Sequence, residues 1–292
     1  MGSTMADLLR RYPLATFFVV VYALTWLVWV PRALGEVPFL LGRAWTWVPA
    51  VAAVVVAGLV LGRPALRDLG SRLVRWRVGW RWYAVVLLGP AVFSVAVAAI
   101  YSALGGSWAV AVPPALVDTP ILLLPLFLLI YAFTDGIGEE LAWRGFALPR
   151  LLARYAPVVA SLILGVIWAA WHLPLLWTDT AAMSGQPIWL PFADITAKSV
   201  LFTWVFLHTR GSVLIAILFH ASTNLFLVSP SQTSAGDASL PVLAAAAKWV
   251  LVLVIIGLTR GTLVRSQRAD LRETTFGGVH PAPAAPSGVH AP

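Results

Sequence analysis

The sequence predicts an all-α protein, a polytopic membrane helix bundle with about eight transmembrane helices. Sixty per cent of its 292 residues are hydrophobic and only 11% are charged, whereas a soluble domain has about 25% charged residues. The apolar runs continue for about 17 to 22 residues, which is the length that a helix needs to cross the hydrocarbon layer. A membrane β-barrel would instead show shorter segments in which apolar and polar residues alternate.

Eight apolar runs follow one another along the chain, and each predicts one membrane span. The predicted spans are residues 13–30, 44–61, 83–104, 119–138, 158–177, 190–207, 213–228 and 240–258. We therefore predict a single membrane domain over residues 1–260. Residues 261–292 turn polar and then rich in proline, alanine and glycine, which predicts a disordered tail.

The arginines are distributed unevenly between the loops, and this predicts the orientation. Most lie before the first span, after the even-numbered spans and in the tail, while the opposite side carries Arg32 and Arg43. Because basic loops stay in the cytoplasm, we expect both termini, and the tail, to be cytoplasmic. All but two of the 20 basic residues are arginine, and alanine is abundant. This indicates a high-GC genome and hence a bacterial cell membrane.

The net charge of +8 is explained by basic loops that face anionic lipid headgroups, so membrane lipid is the expected partner and nucleic acid is not. Residues 63–82 interleave arginine with tryptophan, which predicts a segment lying on the membrane surface. The chain has no cysteine. Disulfides, thiolate metal sites and a cysteine nucleophile are therefore excluded.

A few ionisable residues interrupt the apolar spans, and they are the candidates for a functional site. Glu139 and Glu140 come at the end of the fourth predicted span, and His172 and His220 lie in the fifth and seventh. An ionisable group at membrane depth is costly and usually faces a cavity or a partner. Glu140 and Arg144 are four residues apart, so they share a helix face and are predicted to pair.

Two other charged positions favour a structural role. Asp194 and Lys198 are also four residues apart, and we predict that they pair with each other. Lys248 lies alone in the last span and is predicted to extend its side chain to the interface or to a lipid phosphate.

Three short motifs carry a resemblance to a known family. They are EELAWRG at 139–145, WAAWH at 168–172 and HASTN at 220–224. In this order, each on a predicted span, they resemble the CAAX protease and bacteriocin-processing (CPBP or Abi) family of intramembrane proteases, which includes type II CAAX prenyl endopeptidases. One departure is Trp168, where the family usually has phenylalanine, and this changes the volume of the pocket.

The resemblance implies an intramembrane endopeptidase in which a glutamate and a histidine activate water in a cytoplasm-facing cavity. Carried onto this chain, Glu139 and His172 would together act as the general base that activates water. His220 and Asn224 would stabilise the oxyanion. Glu140, Arg144 and Trp168 would support the structure or contact the substrate. The substrate would be a peptide or protein, with or without attached lipid.

Two alternatives remain open at this point. A non-catalytic membrane protein, an immunity factor or transporter, would use the same polar cavity for binding. Zinc is a second open question, because Glu139, His172 and His220 would supply three ligands as in catalytic zinc sites. No His-Glu-x-x-His helix occurs in the chain and asparagine is a poor zinc ligand, so metal-free catalysis is favoured over zinc.

The predicted spans leave one difficulty with depth. At 1.5 Å per residue, His172 lies about 27 Å from Arg154, much deeper than Glu139 lies from Arg150. We therefore expect the fifth helix to begin outside the hydrocarbon, with Pro157 at its start, or to be strongly tilted.

Overall fold

The computed structural model describes residues 5–35, 44–178, 183–227 and 239–264, and within these ranges it contains helices and turns but no strand. Its eight apolar helices are Pro13–Ala33, Trp45–Leu61, Trp80–Ala103, Ile121–Leu152, Pro157–Trp171, Trp189–His208, Val213–Leu225 and Ser239–Thr259. We number them first to eighth. Short helical segments are added at Met5–Arg11, Arg63–Leu73, Trp108–Ala111, Pro114–Val117 and Leu173–Trp177.

The predicted polytopic membrane bundle is confirmed. Five of the apolar helices, the first, third, fourth, sixth and eighth, are long and apolar enough to cross a membrane. The second, fifth and seventh are shorter, between 10 and 17 residues. A crossing by all eight therefore stays a prediction for these three. The predicted tail falls almost entirely on residues 265–292, which lie outside the described residues.

The fourth helix differs most from its predicted bounds, because it continues to Leu152 instead of ending near residue 138. It contains two π-helical segments, Ala132–Gly136 and Leu141–Ala147, on either side of Ile137–Glu140. A π-helical turn shifts the side chains that follow it around the helix, and such turns are frequent at functional sites. Both glutamates therefore lie in the middle of a long helix and not at its end.

The sixth helix is the centre of the bundle. Two thirds of its apolar window (67%) is buried inside the protein, against 17% to 28% for the other four long helices. It packs closely on the fifth helix, since a Cβ built at Gly165 would lie 2.8 Å from the Cα of Thr196. Beside this contact the hydroxyl of Ser199 donates to the carbonyl of Ser161 (2.9 Å). Small residues that let two backbones approach are typical of helix pairs in membranes.

Two basic loops meet at one end of the bundle, and the cytoplasmic orientation of that end stays a prediction. The Arg75 guanidinium donates to the carbonyl of Arg210, and the hydroxyl of Ser212 donates to the carbonyl of Arg75 (2.6 Å). The loops after the second and sixth helices are thus joined. The helix Arg63–Leu73 buries Leu69 against the fourth helix, so this part of the predicted surface segment is docked on the bundle.

Candidate active site

Glu139 lies inside the bundle and one of its two carboxylate oxygens is fixed by tryptophan. The indole N–H of Trp168, on the fifth helix, donates to Oε2 (2.6 Å). The indole N–H of Trp143, one turn further along the fourth helix, donates to the same oxygen (3.2 Å). The side chain is 4% exposed. With Oε2 held by two donors, Oε1 is the oxygen left to act on another group.

The predicted pair of Glu140 and Arg144 is confirmed. Nη1 of Arg144 donates to Oε1 of Glu140 (2.9 Å), and both side chains are completely buried. The guanidinium lies 4.3 Å from the ring centres of both Trp168 and Phe202. Its other nitrogens, Nε and Nη2, have no hydrogen-bond partner in the described part of the chain. Stacking on two aromatic faces is a favourable environment for such a cation.

His220, on the seventh helix, lies between the two glutamates. Its Nδ1 is 2.8 Å from Oε1 of Glu140, and its Nε2 is 4.0 Å from Oε1 of Glu139. An ionised carboxylate can only accept, so Nδ1 carries the hydrogen of this bond and Nε2 faces Glu139. A separation of 4.0 Å is too long for a direct hydrogen bond. It fits one water molecule that bonds to both atoms.

His172 follows the fifth helix and contacts Trp168, the residue whose indole N–H bonds to Glu139. Its Nδ1 is 2.9 Å from the carbonyl oxygen of Trp168, and its ring centre is 6.1 Å from that of Trp168. Among the described residues His220, and not His172, is the histidine nearest to the Glu139 carboxylate. The resemblance implies that Glu139 and His172 activate water together. The two side chains are not in direct contact, and their joint role stays a prediction.

Asn224 lies one turn after His220 and is held by a neighbouring acid. Its amide N–H donates to Oδ2 of Asp135 (3.1 Å), which is one turn before Glu139 on the fourth helix. The amide keeps a second N–H for another acceptor. The predicted oxyanion role of Asn224 therefore stays a prediction, with Asp135 as the group that orients it.

The difficulty with depth is removed by the true bounds of the helices. The fifth helix begins at Pro157, as predicted, and the fourth ends at Leu152. At 1.5 Å per residue, Glu139 lies about 20 Å before the end of its helix and His172 about 22 Å after the start of its own. Both residues are consequently at a similar depth without a strong tilt.

The three predicted zinc ligands do not fit a metal ion as they are arranged. Zinc bound about 2.1 Å from each ligand atom in tetrahedral geometry would bring two ligand atoms to about 3.4 Å. Oε1 of Glu139 and Nε2 of His220 are 4.0 Å apart, and Nδ1 of His172 is taken up by the carbonyl oxygen of Trp168 (2.9 Å). In the described ranges no group of three histidine or acidic residues is arranged to hold a metal.

The sequence did not identify Phe202, which forms one wall of the site. Its ring centre is 5.9 Å from those of Trp168 and His220. The sequence did contain one indication of this role. Phe202 lies four residues after Lys198 and so shares its helix face, and a charged residue in a membrane helix often marks the face that is turned toward a cavity.

The segment that carries these residues is similar to known proteins. Residues 120–226 match the family model described as type II CAAX prenyl endopeptidase Rce1-like. CAAX prenyl protease 2 of Methanococcus maripaludis is 38% identical over 106 residues, which are 34% of this chain and 38% of that protein. The chain thus covers well under two thirds of this relative. All three motifs fall within the matched residues, and the resemblance noted from the sequence is confirmed over that segment.

Proposed function

We propose that the protein is an intramembrane endopeptidase that hydrolyses a peptide bond with a water molecule held between Glu139 and His220. The observation that carries the proposal is the 4.0 Å gap between Oε1 of Glu139 and Nε2 of His220, inside a network otherwise joined by direct bonds. The match of residues 120–226 to a family of endopeptidases supports the same class of reaction.

Each atom facing the gap has a distinct task. Oε1 of Glu139 and Nε2 of His220 both accept, so a water between them donates both hydrogens and presents its lone pairs to the substrate. Glu139 takes one proton as the water oxygen attacks the carbonyl carbon, and the carbonyl oxygen becomes an oxyanion. When the C–N bond breaks, the same proton passes to the leaving amine.

The surrounding residues keep the two acceptors in position. Trp143 and Trp168 hold Glu139 through Oε2, and Glu140 holds His220 through Nδ1, an arrangement similar in logic to the acid that orients a catalytic histidine. Asn224 is proposed to donate its second amide N–H to the oxyanion. His220 thereby takes the place beside Glu139 that the resemblance assigned to His172.

The substrate is proposed to be a peptide, or the end of a protein, that enters from the cytoplasmic side near the membrane. The relative's name refers to prenylated CAAX proteins. A bacterial chain would more often process a small peptide, with or without lipid attached.

The test is cleavage of a quenched fluorogenic peptide by the purified protein in liposomes. Replacing Glu139 with glutamine should lower kcat about 100-fold or more, the usual loss when a general base is removed. His208→Gln is the matched control and should cleave at the parental rate, because His208 lies away from the site between Trp82 and Trp204. Parental cleavage by the Glu139 variant would reject the mechanism.

Two further outcomes have clear meanings. If the folded parent binds peptides but cleaves none, the binding alternative, an immunity or transport protein, replaces the enzyme. The proposed reaction uses no metal, so a strong chelator should leave the rate unchanged. A loss of activity that zinc restores would show that Glu139, His172 and His220 assemble around a metal.

A further inference from the structure

A second polar cluster lies at mid-membrane depth, outside the network just described. Nζ of Lys198 is 2.8 Å from Oδ2 of Asp194 on the same helix, so the predicted pair is confirmed. Lys248, near the middle of the eighth helix, binds the other oxygen of Asp194. Its predicted extension to the interface is therefore wrong, because the sixth and eighth helices pack together and bring it to Asp194.

The cluster carries one positive charge more than it can neutralise. Two ammonium groups share a single carboxylate, and in the described part of the chain Asp194 is the one acid that pairs with either lysine. Phe93 offers only a ring face, 5.4 Å from Nζ of Lys248. An unbalanced charge at membrane depth is costly and marks a functional site. Each ammonium has three hydrogens, so both keep donors for another acceptor.

The two lysines are held in place by the packing of the sixth and eighth helices and are partly exposed. The Trp249 indole N–H donates to the carbonyl of Ala193 (3.0 Å), which holds the eighth helix against the sixth beside the cluster. The side chains of Lys198 and Lys248 are 18% and 14% exposed. Both side chains therefore keep part of their surface free of protein contacts.

The cluster adjoins the proposed active site. Asp194, Lys198 and Phe202 follow at intervals of four residues, so they lie on one face of the sixth helix. Phe202 contacts Trp168 and His220 in the site. Lys198 is one turn beyond Phe202, about 6 Å along the helix axis. That distance corresponds to about two residues of an extended peptide.

We propose that Lys198 and Lys248, bridged by Asp194, form a binding subsite for a carboxylate of the peptide substrate. The inference rests on the proposed function. The carboxylate is either the free C-terminus of the peptide or an acidic side chain, since both present the same two oxygens to the ammonium groups. Binding there neutralises the excess charge and aligns the peptide along the sixth helix toward Glu139.

Three peptides of otherwise identical sequence separate the two sources of the carboxylate. One ends in a free carboxylate, one ends in an amide, and the third ends in an amide but carries a glutamate near that end. We expect the parent to bind and cleave a peptide with a carboxylate at least about tenfold better than the plain amide, because a charge-assisted contact usually contributes that much. Preference for the first peptide or for the third then identifies the source.

The variants are Lys198→Met and Lys248→Met, with Lys248→Arg as the matched control. Both methionine variants should lose the preference and still cleave the plain amide at the parental rate, which also shows that they are folded. The arginine variant keeps the charge and should keep the preference. Equal treatment of all three peptides by the parent, or a preference that survives both methionine variants, would overturn the subsite.

A binding measurement keeps this inference separate from the proposed function. Fluorescence anisotropy of the same labelled peptides reports their affinity without any cleavage. A preference for the carboxylate in binding, without hydrolysis, would uphold the subsite and reject the endopeptidase function. Cleavage without any such preference would uphold the endopeptidase function and reject the subsite. If inorganic phosphate raises the unfolding temperature of the parent but not of Lys198→Met, and no carboxylate is preferred, the site takes phosphate and the proposal is wrong.

Discussion

Replacing Glu140 with glutamine should destabilise the protein strongly, because Glu140 is the carboxylate that pairs with Arg144 in the described part of the chain. Both side chains are completely buried and joined by a 2.9 Å bond. Loss of one partner leaves a buried cation, which typically costs about 3 to 5 kcal/mol. Two nitrogens of Arg144 already lack hydrogen bonds in the described part of the chain, and a glutamine oxygen could accept from Nη1 but could not balance the charge.

A double-mutant cycle isolates this interaction from other effects of the substitution. The cycle consists of Glu140→Gln, Arg144→Met and the variant that carries both substitutions. The double variant contains neither charge, so it avoids the penalty of an unpaired buried ion. We expect it to regain most of the lost stability, with a coupling energy of about 2 kcal/mol or more. Activity should not return, because His220 still lacks the carboxylate that holds its Nδ1.

The chain provides a matched control for the buried pair. Asp68 and Arg72 are also four residues apart and also joined at 2.9 Å, but the side chain of Asp68 is 46% exposed. The side chain of Arg72 is only 4% exposed, but solvent around the carboxylate screens this pair and replaces part of the lost interaction. Asp68→Asn should therefore cost clearly less stability than Glu140→Gln, although the two bonds have the same length.

The assay is the unfolding temperature in detergent, measured for all variants by intrinsic tryptophan fluorescence. A loss of 3 to 5 kcal/mol corresponds to a decrease of about 5 to 15 °C. If Glu140→Gln unfolds within 1 °C of the parent, or if the double variant is no more stable than the single one, the ion pair does not have the role described.

Two further substitutions test the walls of the site. Trp168→Phe removes the indole N–H that donates to Glu139 (2.6 Å). It should lower kcat/KM about tenfold while stability changes little. An unchanged rate would show that this hydrogen bond does not position the carboxylate. Gly138→Ala should destabilise the protein by about 1 to 3 kcal/mol, because its Cβ would lie 2.3 Å from the backbone carbonyl oxygen of Thr46. Gly89→Ala, which has open space around its Cβ, is the control and should be neutral or stabilising, and equal unfolding temperatures for the two variants would contradict the close approach.

Local patterns in the sequence were sufficient for the apolar helices and for contacts within one helix. The pair of Glu140 and Arg144 and the pair of Asp194 and Lys198 both follow from a spacing of four residues, and both are confirmed. Their prediction needed only the geometry of an α-helix, which is the same wherever the helix lies in the bundle.

Contacts between helices could not be predicted in the same way. His220 and Glu140 are 80 residues apart, and their 2.8 Å contact depends on how the seventh helix packs against the fourth. Trp168 and His172 share one face of the fifth helix, so spacing alone could not tell which of them reaches Glu139. The π-helical turns beside Glu139 also alter the direction of its side chain, and the periodicity of the sequence does not predict such turns.

A comparison of the two histidines decides whether the attacking water molecule is held between Glu139 and His220. The measurement is kcat for peptide cleavage by His220→Gln and by His172→Gln, side by side in the same liposomes. We predict that His220→Gln loses about 100-fold or more with KM little changed, and that His172→Gln loses clearly less. If cleavage is abolished in His172→Gln and retained in His220→Gln, the water is not held between Glu139 and His220.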